Sequence, residues 1–180
     1  ANSMYRTPTS ASHNIELNDN RIVSLEPLKN SQFLQNLNHQ TFNLQNNNIK
    51  NLNGLQGLNK VNTLNLNQNQ INDISHIAEF TSGEQVNILD LRNNQIETIP
   101  AGVFDSFQPA YVKLQDNPIT DWTGITSNTS MTHFYCSTDM GSQLSLLPQM
   151  TNTAVFEMSQ QHTNTQLPDM TGSHVAHFTY

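Results

Sequence analysis

The residues with the greatest capacity for binding chemistry lie in short apolar–polar alternations from the middle of the chain onwards. They recur two positions apart within a segment and at a nearly constant interval between segments. The set comprises Ile88, Asp90, Arg92, Tyr111, Lys113, His133, Tyr135 and Glu157. Aromatic and Arg side chains are the usual energetic anchors of protein interfaces. The set therefore predicts non-covalent recognition of a protein ligand.

No arrangement typical of catalysis or metal binding accompanies these residues. The sequence contains no Gly-rich phosphate loop, nucleophile elbow or paired carboxylate motif, and Glu84 and Glu97 are isolated. Among the seven His residues, no pair has the spacing of metal ligands on a predicted helix. His133 and His177 would lie roughly 10 Å apart, two strand spacings, which is too far for one ion to bridge. We expect no enzyme activity, no metal and no cofactor.

The elements that position the binding set are repeats of one phrase: an apolar residue, any residue, an apolar residue, two residues, Asn, one residue and Ile. The phrase occurs five times, with its Asn at Asn20, Asn47, Asn69, Asn94 and Asn117. Repetition at a period of roughly 20 to 30 residues indicates a solenoid, in which each unit buries its apolar face against its neighbours. A stack of Asn side chains can satisfy backbone groups in the turns, so we interpret this ladder as structural.

The phrase resembles the leucine-rich repeat. After the Asn, apolar residues continue every third position, as in Ile49, Leu52 and Leu55, which suits a short 3₁₀-like return. With a period of about 22 residues, this pattern resembles the internalin-like subclass, whereas the unit from Ile96 to Asp105 resembles a longer, receptor-like repeat. The resemblance implies a horseshoe of the α/β class, with parallel strands on the concave face and 3₁₀ or irregular segments on the convex face.

Three weaker units extend the solenoid to about eight strands. Counting from Val112 in steps of 22 residues reaches Phe134, Phe156 and Phe178. In these units Asp139 and Gln161 replace the Asn. We therefore expect an N-terminal tail or cap at 1–12, regular repeats at 13–131 and degenerate repeats at 132–180 without an evident cap.

The exposed side of the sheet is predicted to present unequal chemistry along its length. The second and third repeats offer only Asn, Gln and Thr, whereas the fourth to sixth offer the aromatic and charged set. We place the ligand-binding hot spot there. The alternative is that Tyr111 and Tyr135 merely cover neighbouring side chains, since single exposed aromatics are common.

Charge narrows the range of partners. The formal net charge is −7, and no Lys or Arg follows Lys113, while Glu157 and four Asp residues do. Without a basic face to neutralise phosphates, nucleic acid and anionic membranes are poor candidates. No segment approaches the run of about 18 apolar residues that a membrane span needs, so membrane insertion is not expected either. A protein partner with some positive charge is mildly favoured.

The ends of the chain suggest a second hypothesis. Val175, Phe178 and Tyr180 would leave an open strand edge, so the alternative function is a structural or assembly component, or a fragment of a larger protein, that associates through this edge. The favoured function is an adhesin-like or secreted effector-like recognition module. The first residue is Ala, which fits a processed secreted protein, a trimmed chain or an excised fragment. We favour the first of these and expect secretion or display at the cell surface, with translocation into a host cell as the alternative.

Overall fold

The sheet determines where every candidate binding residue lies. A computed structural model describes residues 14–36, 38–58, 60–80, 86–137, 143, 145–146, 149–158 and 177–179. These residues contain one parallel sheet of eight strands in chain order, each paired with the next along the chain. The strands are β1 Ile15–Glu16, β2 Asn38–Asn43, β3 Lys60–Asn65, β4 Ile88–Asp90, β5 Tyr111–Lys113, β6 His133–Cys136, β7 Val155–Met158 and β8 His177–Thr179.

The register of the sheet follows the repeat phrase. One aligned row carries the first apolar residue of each repeat phrase: Ile15, Phe42, Leu64, Leu89, Val112, Phe134, Phe156 and Phe178. The interval of 22 residues from Val112 to Phe134, Phe156 and Phe178 therefore predicts the pairing of the last three strands correctly, even where the Asn is lost. The sheet does not close on itself, and the predicted leucine-rich repeat solenoid is confirmed.

The return segments on the convex side are short, and side-chain turns precede two of their 3₁₀ helices. The described residues hold 3₁₀ helices at Glu26–Leu28, Ser75–Glu79 and Thr123–Ser127, and one short helix, α1 Gln32–Gln35. Asp73 accepts a hydrogen bond from the Ser75 backbone N–H at 2.8 Å, and Asp121 accepts one from the Thr123 N–H at 2.9 Å. These bonds form Asp turns that lead the chain into each 3₁₀ helix.

The core is a single apolar column between the sheet and the return segments. Phe42, Leu64, Leu89, Val112 and Phe134 are all fully buried. The single Trp, Trp122, is also fully buried, and its ring packs edge-on against Phe134 at 5.8 Å. The repeats approach one another so closely that a Cβ on Gly124 would lie 1.9 Å from the carbonyl oxygen of Pro100, which explains the glycine.

The Asn ladder ties each turn to the preceding repeat. Asn69 is buried; its Nδ2 donates to the carbonyls of Leu44 and Leu66 at 3.0 and 3.1 Å, and its Oδ1 accepts from the Ile49 N–H at 3.0 Å. Asn47, Asn94 and Asn117 form the equivalent hydrogen bonds, each to its own repeat and to the repeat before it. Each of these four turns is thereby hydrogen-bonded to the repeat before it.

Asn20 occupies the same position with a different role. It is exposed, and its Nδ2 donates to the carbonyls of Leu17 and Asn18, within its own turn. The ladder reaches backwards along the chain, and Asn20 lies in the first turn. Sequence spacing alone could not distinguish it from the other four.

The two ends of the chain can be compared with expectation only in part. The tail or cap expected at 1–12 lies outside the described residues, and so do Val175 and Tyr180. Phe178 lies on β8, which pairs with β7.

Candidate functional site

The outward side chains of the sheet form aligned columns across neighbouring strands. Column one runs through Ile88, Tyr111, His133 and Val155, and column two through Asp90, Lys113, Tyr135 and Glu157. The period of two along a strand puts these residues on the face opposite the core. The structure therefore brings seven of the eight predicted ligand-binding residues into two adjacent columns, and Arg92 follows β4 directly.

The centre of the site is a stack of three rings. The rings of Tyr111 and His133 lie 4.1 Å apart between centroids, with their planes inclined by 14°. His133 and Tyr135 follow at 6.3 Å and 21°. Thr132 Oγ1 lies 2.9 Å from His133 Nδ1, which gives the imidazole a hydrogen-bonding neighbour that orients it. The three rings are half-buried, and we call them the aromatic stack.

Two charged residues flank the aromatic stack in column two. Lys113 Nζ lies 5.9 Å from the ring centroid of Tyr135, within the range of a cation–π contact. Glu157 is the register partner of Tyr135 on the other side. Partial burial raises the pKa of the Tyr135 hydroxyl, and the negative charge of Glu157, followed by Tyr111, raises it further. The phenol therefore remains neutral over a wider pH range than an isolated tyrosine.

Asp90 and Arg92 neutralise each other. Arg92 Nη2 and Nε donate to the Asp90 carboxylate at 2.6 and 2.9 Å, and these bonds raise the pKa of the guanidinium. Asp90 is 5% exposed and also accepts a hydrogen bond from the Arg92 backbone N–H at 3.2 Å. Although Asp90 lies in column two as predicted, its carboxylate is covered and its hydrogen bonds stay within the chain.

Asn43 and Asn65 occupy the positions in β2 and β3 that align with Asp90, and they explain why its carboxylate bonds to its own backbone. Asn43 accepts a hydrogen bond from the Gln45 N–H, and Asn65 accepts one from the Asn67 N–H, in the same two-residue step as Asp90 and Arg92. Asn and Asp side chains commonly form such turns where a strand ends. The sequence analysis did not predict this side-chain turn, although the recurrence of Asn, Asn and Asp at one position of the repeat indicates it.

The amide-rich surface of the first three repeats is largely self-satisfied. Asn43 Nδ2 donates to Glu16 Oε2 at 2.7 Å, and Asn65 Nδ2 donates to Asn43 Oδ1 at 3.1 Å. Gln45 Nε2 donates to Gln68 Oε1 at 2.8 Å. These donors already have acceptors within the chain, so a ligand gains less from displacing them than from covering the aromatic stack.

The described residues contain no group of three or more His, Cys, Asp or Glu side chains that could hold a metal ion. Cys136 is a buried free cysteine, and burial raises the pKa of its thiol to about 12. A thiol in this environment is a poor nucleophile. In the part of the chain that the structure covers, no helix reaches the length and apolarity required to span a membrane.

Comparison with known proteins rests on structure, because no family model matches the chain and no curated protein matches it. The structure is similar to that of internalin C2 from Listeria monocytogenes, with a TM-score of 0.64 and 25% identity over 93% of this chain and 70% of that one. A second internalin of the same organism matches with a TM-score of 0.38 and 17% identity, over 88% of this chain and 71% of the other. From the sheet, the ladder and the likeness to internalin C2, the chain is a leucine-rich repeat protein.

Proposed function

We propose that this protein is a non-catalytic recognition module that binds a protein ligand through the concave face of its sheet. The aromatic stack of Tyr111, His133 and Tyr135 forms the centre of the interface. Ile88 and Val155 extend it along column one, and Lys113 and Glu157 border it in column two. The ligand contacts several strands at once, as is typical of solenoid binding surfaces.

The single observation that supports this proposal is the grouping of three half-buried rings on the outward face of the sheet. The rings of Tyr111 and His133 cover one another at 4.1 Å, so each is held in place before a ligand arrives. Ordered aromatic side chains lose little conformational freedom on binding, which favours high affinity for a protein. Because these two rings stack on each other, their facing surfaces are not free to serve as platforms for a sugar ring.

The likeness of the fold to that of internalin C2 is consistent with a role in protein recognition. On that basis we propose an adhesin-like or secreted effector-like role, with the protein outside the cell or on its surface, and delivery into a host cell as the alternative. Protein partners are the class proposed, and nucleic acid is not, since no Lys or Arg follows Lys113 in the sequence.

The proposal can be tested by comparing what the wild-type chain and its variants capture from solubilised cell-surface proteins. The variant Tyr111→Ala/Tyr135→Ala should lose captured ligand by about 30-fold, because interface hot spots contribute at least about 2 kcal/mol. The matched control is Thr41→Ala/Thr63→Ala, in column one of β2 and β3. Equal capture by both double variants would contradict the proposal, provided that their unfolding temperatures match that of the wild type.

The second candidate is assembly through the C-terminal edge of the sheet. Among the described strands, β8 pairs on one side only, with β7, and an unpaired strand edge can add a strand from another chain. In this case the solution mass should rise with protein concentration, and Phe178→Glu should return it to that of a monomer. A constant monomer mass would count against assembly and leave concave-face recognition unaffected.

A further inference from the structure

Three carboxylates lie in column two, and their surroundings differ. Glu16 accepts a hydrogen bond from Asn43 Nδ2 at 2.7 Å, and Asp90 forms a paired contact with Arg92. Glu157 is half-buried on β7, yet among the residues whose side chains the structure describes, none donates a hydrogen bond to it or pairs with it as a cation. A partly buried carboxylate without a donor lacks the compensation that its two counterparts have.

The sequence offers Glu157 no Lys or Arg from its own part of the chain. Lys113 is the last Lys or Arg, and it precedes Glu157 by two strands. Its ammonium lies 5.9 Å from the centroid of the Tyr135 ring, and Lys113 is the register partner of Tyr135 on β5. Glu157 adjoins Tyr135 from β7, the opposite side.

The combination of an aromatic ring and a carboxylate is selective for one kind of group. A cation gains from the electron-rich face of a tyrosine ring and from a carboxylate at the same time. A planar guanidinium can do both, because it stacks on an aromatic ring while its N–H groups donate to the carboxylate. A lysine ammonium group would neutralise the carboxylate, but it is not planar and cannot stack on the ring in the same way.

We propose that Tyr135 and Glu157 form a subsite for a cationic side chain of the ligand, an arginine in preference to a lysine. The guanidinium lies against the Tyr135 ring on the β7 side and donates hydrogen bonds to the Glu157 carboxylate. This inference rests on the proposed protein-binding function and specifies the charge that the ligand must carry opposite β7.

The test uses two small probes that differ in charge but hardly in shape. N-acetyl-arginine amide and the neutral N-acetyl-citrulline amide are titrated separately into the whole chain, with its tyrosine rings isotopically labelled for NMR. The arginine probe should shift the Tyr135 ring signals saturably, and the citrulline probe should bind about tenfold more weakly or not at all.

Two matched variants assign the effect to the subsite. Glu157→Gln should reduce the difference between the two probes to what the Tyr135 ring alone provides, whereas Glu16→Gln, which alters the satisfied carboxylate in the same column, should leave it unchanged. An equal response to both probes, an unchanged response in Glu157→Gln, or no shift of the Tyr135 signals would overturn the subsite.

The probe titration and the capture experiment can fail independently, so the subsite and the proposed function are tested separately. If the arginine probe fails while Tyr111→Ala/Tyr135→Ala still loses captured protein, only the subsite is wrong. If the probe binds at Glu157 while capture is unaffected by the double variant, the recognition proposal is wrong and the subsite stands as a cation site alone.

Discussion

Tyr111 and His133 stack face to face across neighbouring strands, with ring centroids 4.1 Å apart and planes inclined by only 14°. The contact is a direct product of the repeat, because β5 and β6 are in register and set the two residues opposite each other. It turns two outward-facing, half-buried side chains into one ordered aromatic surface. Without the pairing, each ring would sample several rotamers and lose more entropy on binding.

The first prediction concerns the Asn ladder. Asn69→Ala should lower the free energy of unfolding by about 2–4 kcal/mol, because buried backbone groups of Leu44, Leu66 and Ile49 lose their partners. Asn20→Ala should cost less than about 1 kcal/mol, because water can replace its exposed bonds. Urea unfolding followed by the fluorescence of buried Trp122 provides the measurement. Similar losses for both variants would refute a ladder that acts between repeats.

The second prediction separates structure from binding at Asp90. Asp90→Asn preserves an acceptor for the Arg92 N–H, as Asn43 and Asn65 do for their own turns, so we expect a loss below about 1 kcal/mol. Asp90→Ala removes that acceptor and should cost about 1–3 kcal/mol. Thermal unfolding of the two variants measures the difference. Equal stability of both would show that the carboxylate does not organise the end of β4.

The third prediction concerns pH and Tyr135. Its pKa is raised in the folded protein, so the folded state holds the phenol proton more tightly than the unfolded chain does. Stability from this group is therefore present below the unfolded value of about 10 and is lost as the pH rises through the folded value. Glu157→Gln should lower the Tyr135 pKa, whereas Glu16→Gln should not. Ultraviolet titration of tyrosinate absorbance, assigned by NMR, gives the answer, and an unchanged pKa in Glu157→Gln would contradict the proximity of these groups.

The fourth prediction concerns Cys136. Because its thiol is buried and its pKa lies at about 12, a thiol reagent at pH 8 should react with the folded protein at least about 100-fold more slowly than with the unfolded protein. Comparing labelling rates with and without denaturant tests this directly. Rapid labelling under native conditions would mean that the sixth repeat opens readily.

The repeat phrase was sufficient to predict the sheet, because its period fixes which residues face the core. It placed Phe134, Phe156 and Phe178 in one row, although Asp139 and Gln161 no longer match the phrase. Register tolerates this drift because the inward apolar residues persist at the same spacing. The eight-stranded horseshoe was therefore predictable from apolar spacing.

The chemistry of the face was only partly predictable. The columns follow from the period of two, but the burial of Asp90 depends on how Arg92 folds back onto it. Likewise, Asn20 and Asn69 match the same motif, yet within the described part of the chain only Asn69 hydrogen-bonds to the repeat before it. Such differences arise from contacts between repeats, and a motif read within one repeat cannot contain them.

The most direct test of concave-face recognition is site-specific photo-crosslinking. Benzoylphenylalanine replaces Val155, beside the aromatic stack, or Phe33, which is 46% exposed on α1 of the return side. Each chain is irradiated with solubilised cell-surface proteins in the presence of excess unlabelled competitor. We predict a discrete adduct from position 155 only, suppressed by wild-type competitor and not by Tyr111→Ala/Tyr135→Ala. Equal adducts from both positions, or equal suppression by both competitors, would contradict recognition through the aromatic stack.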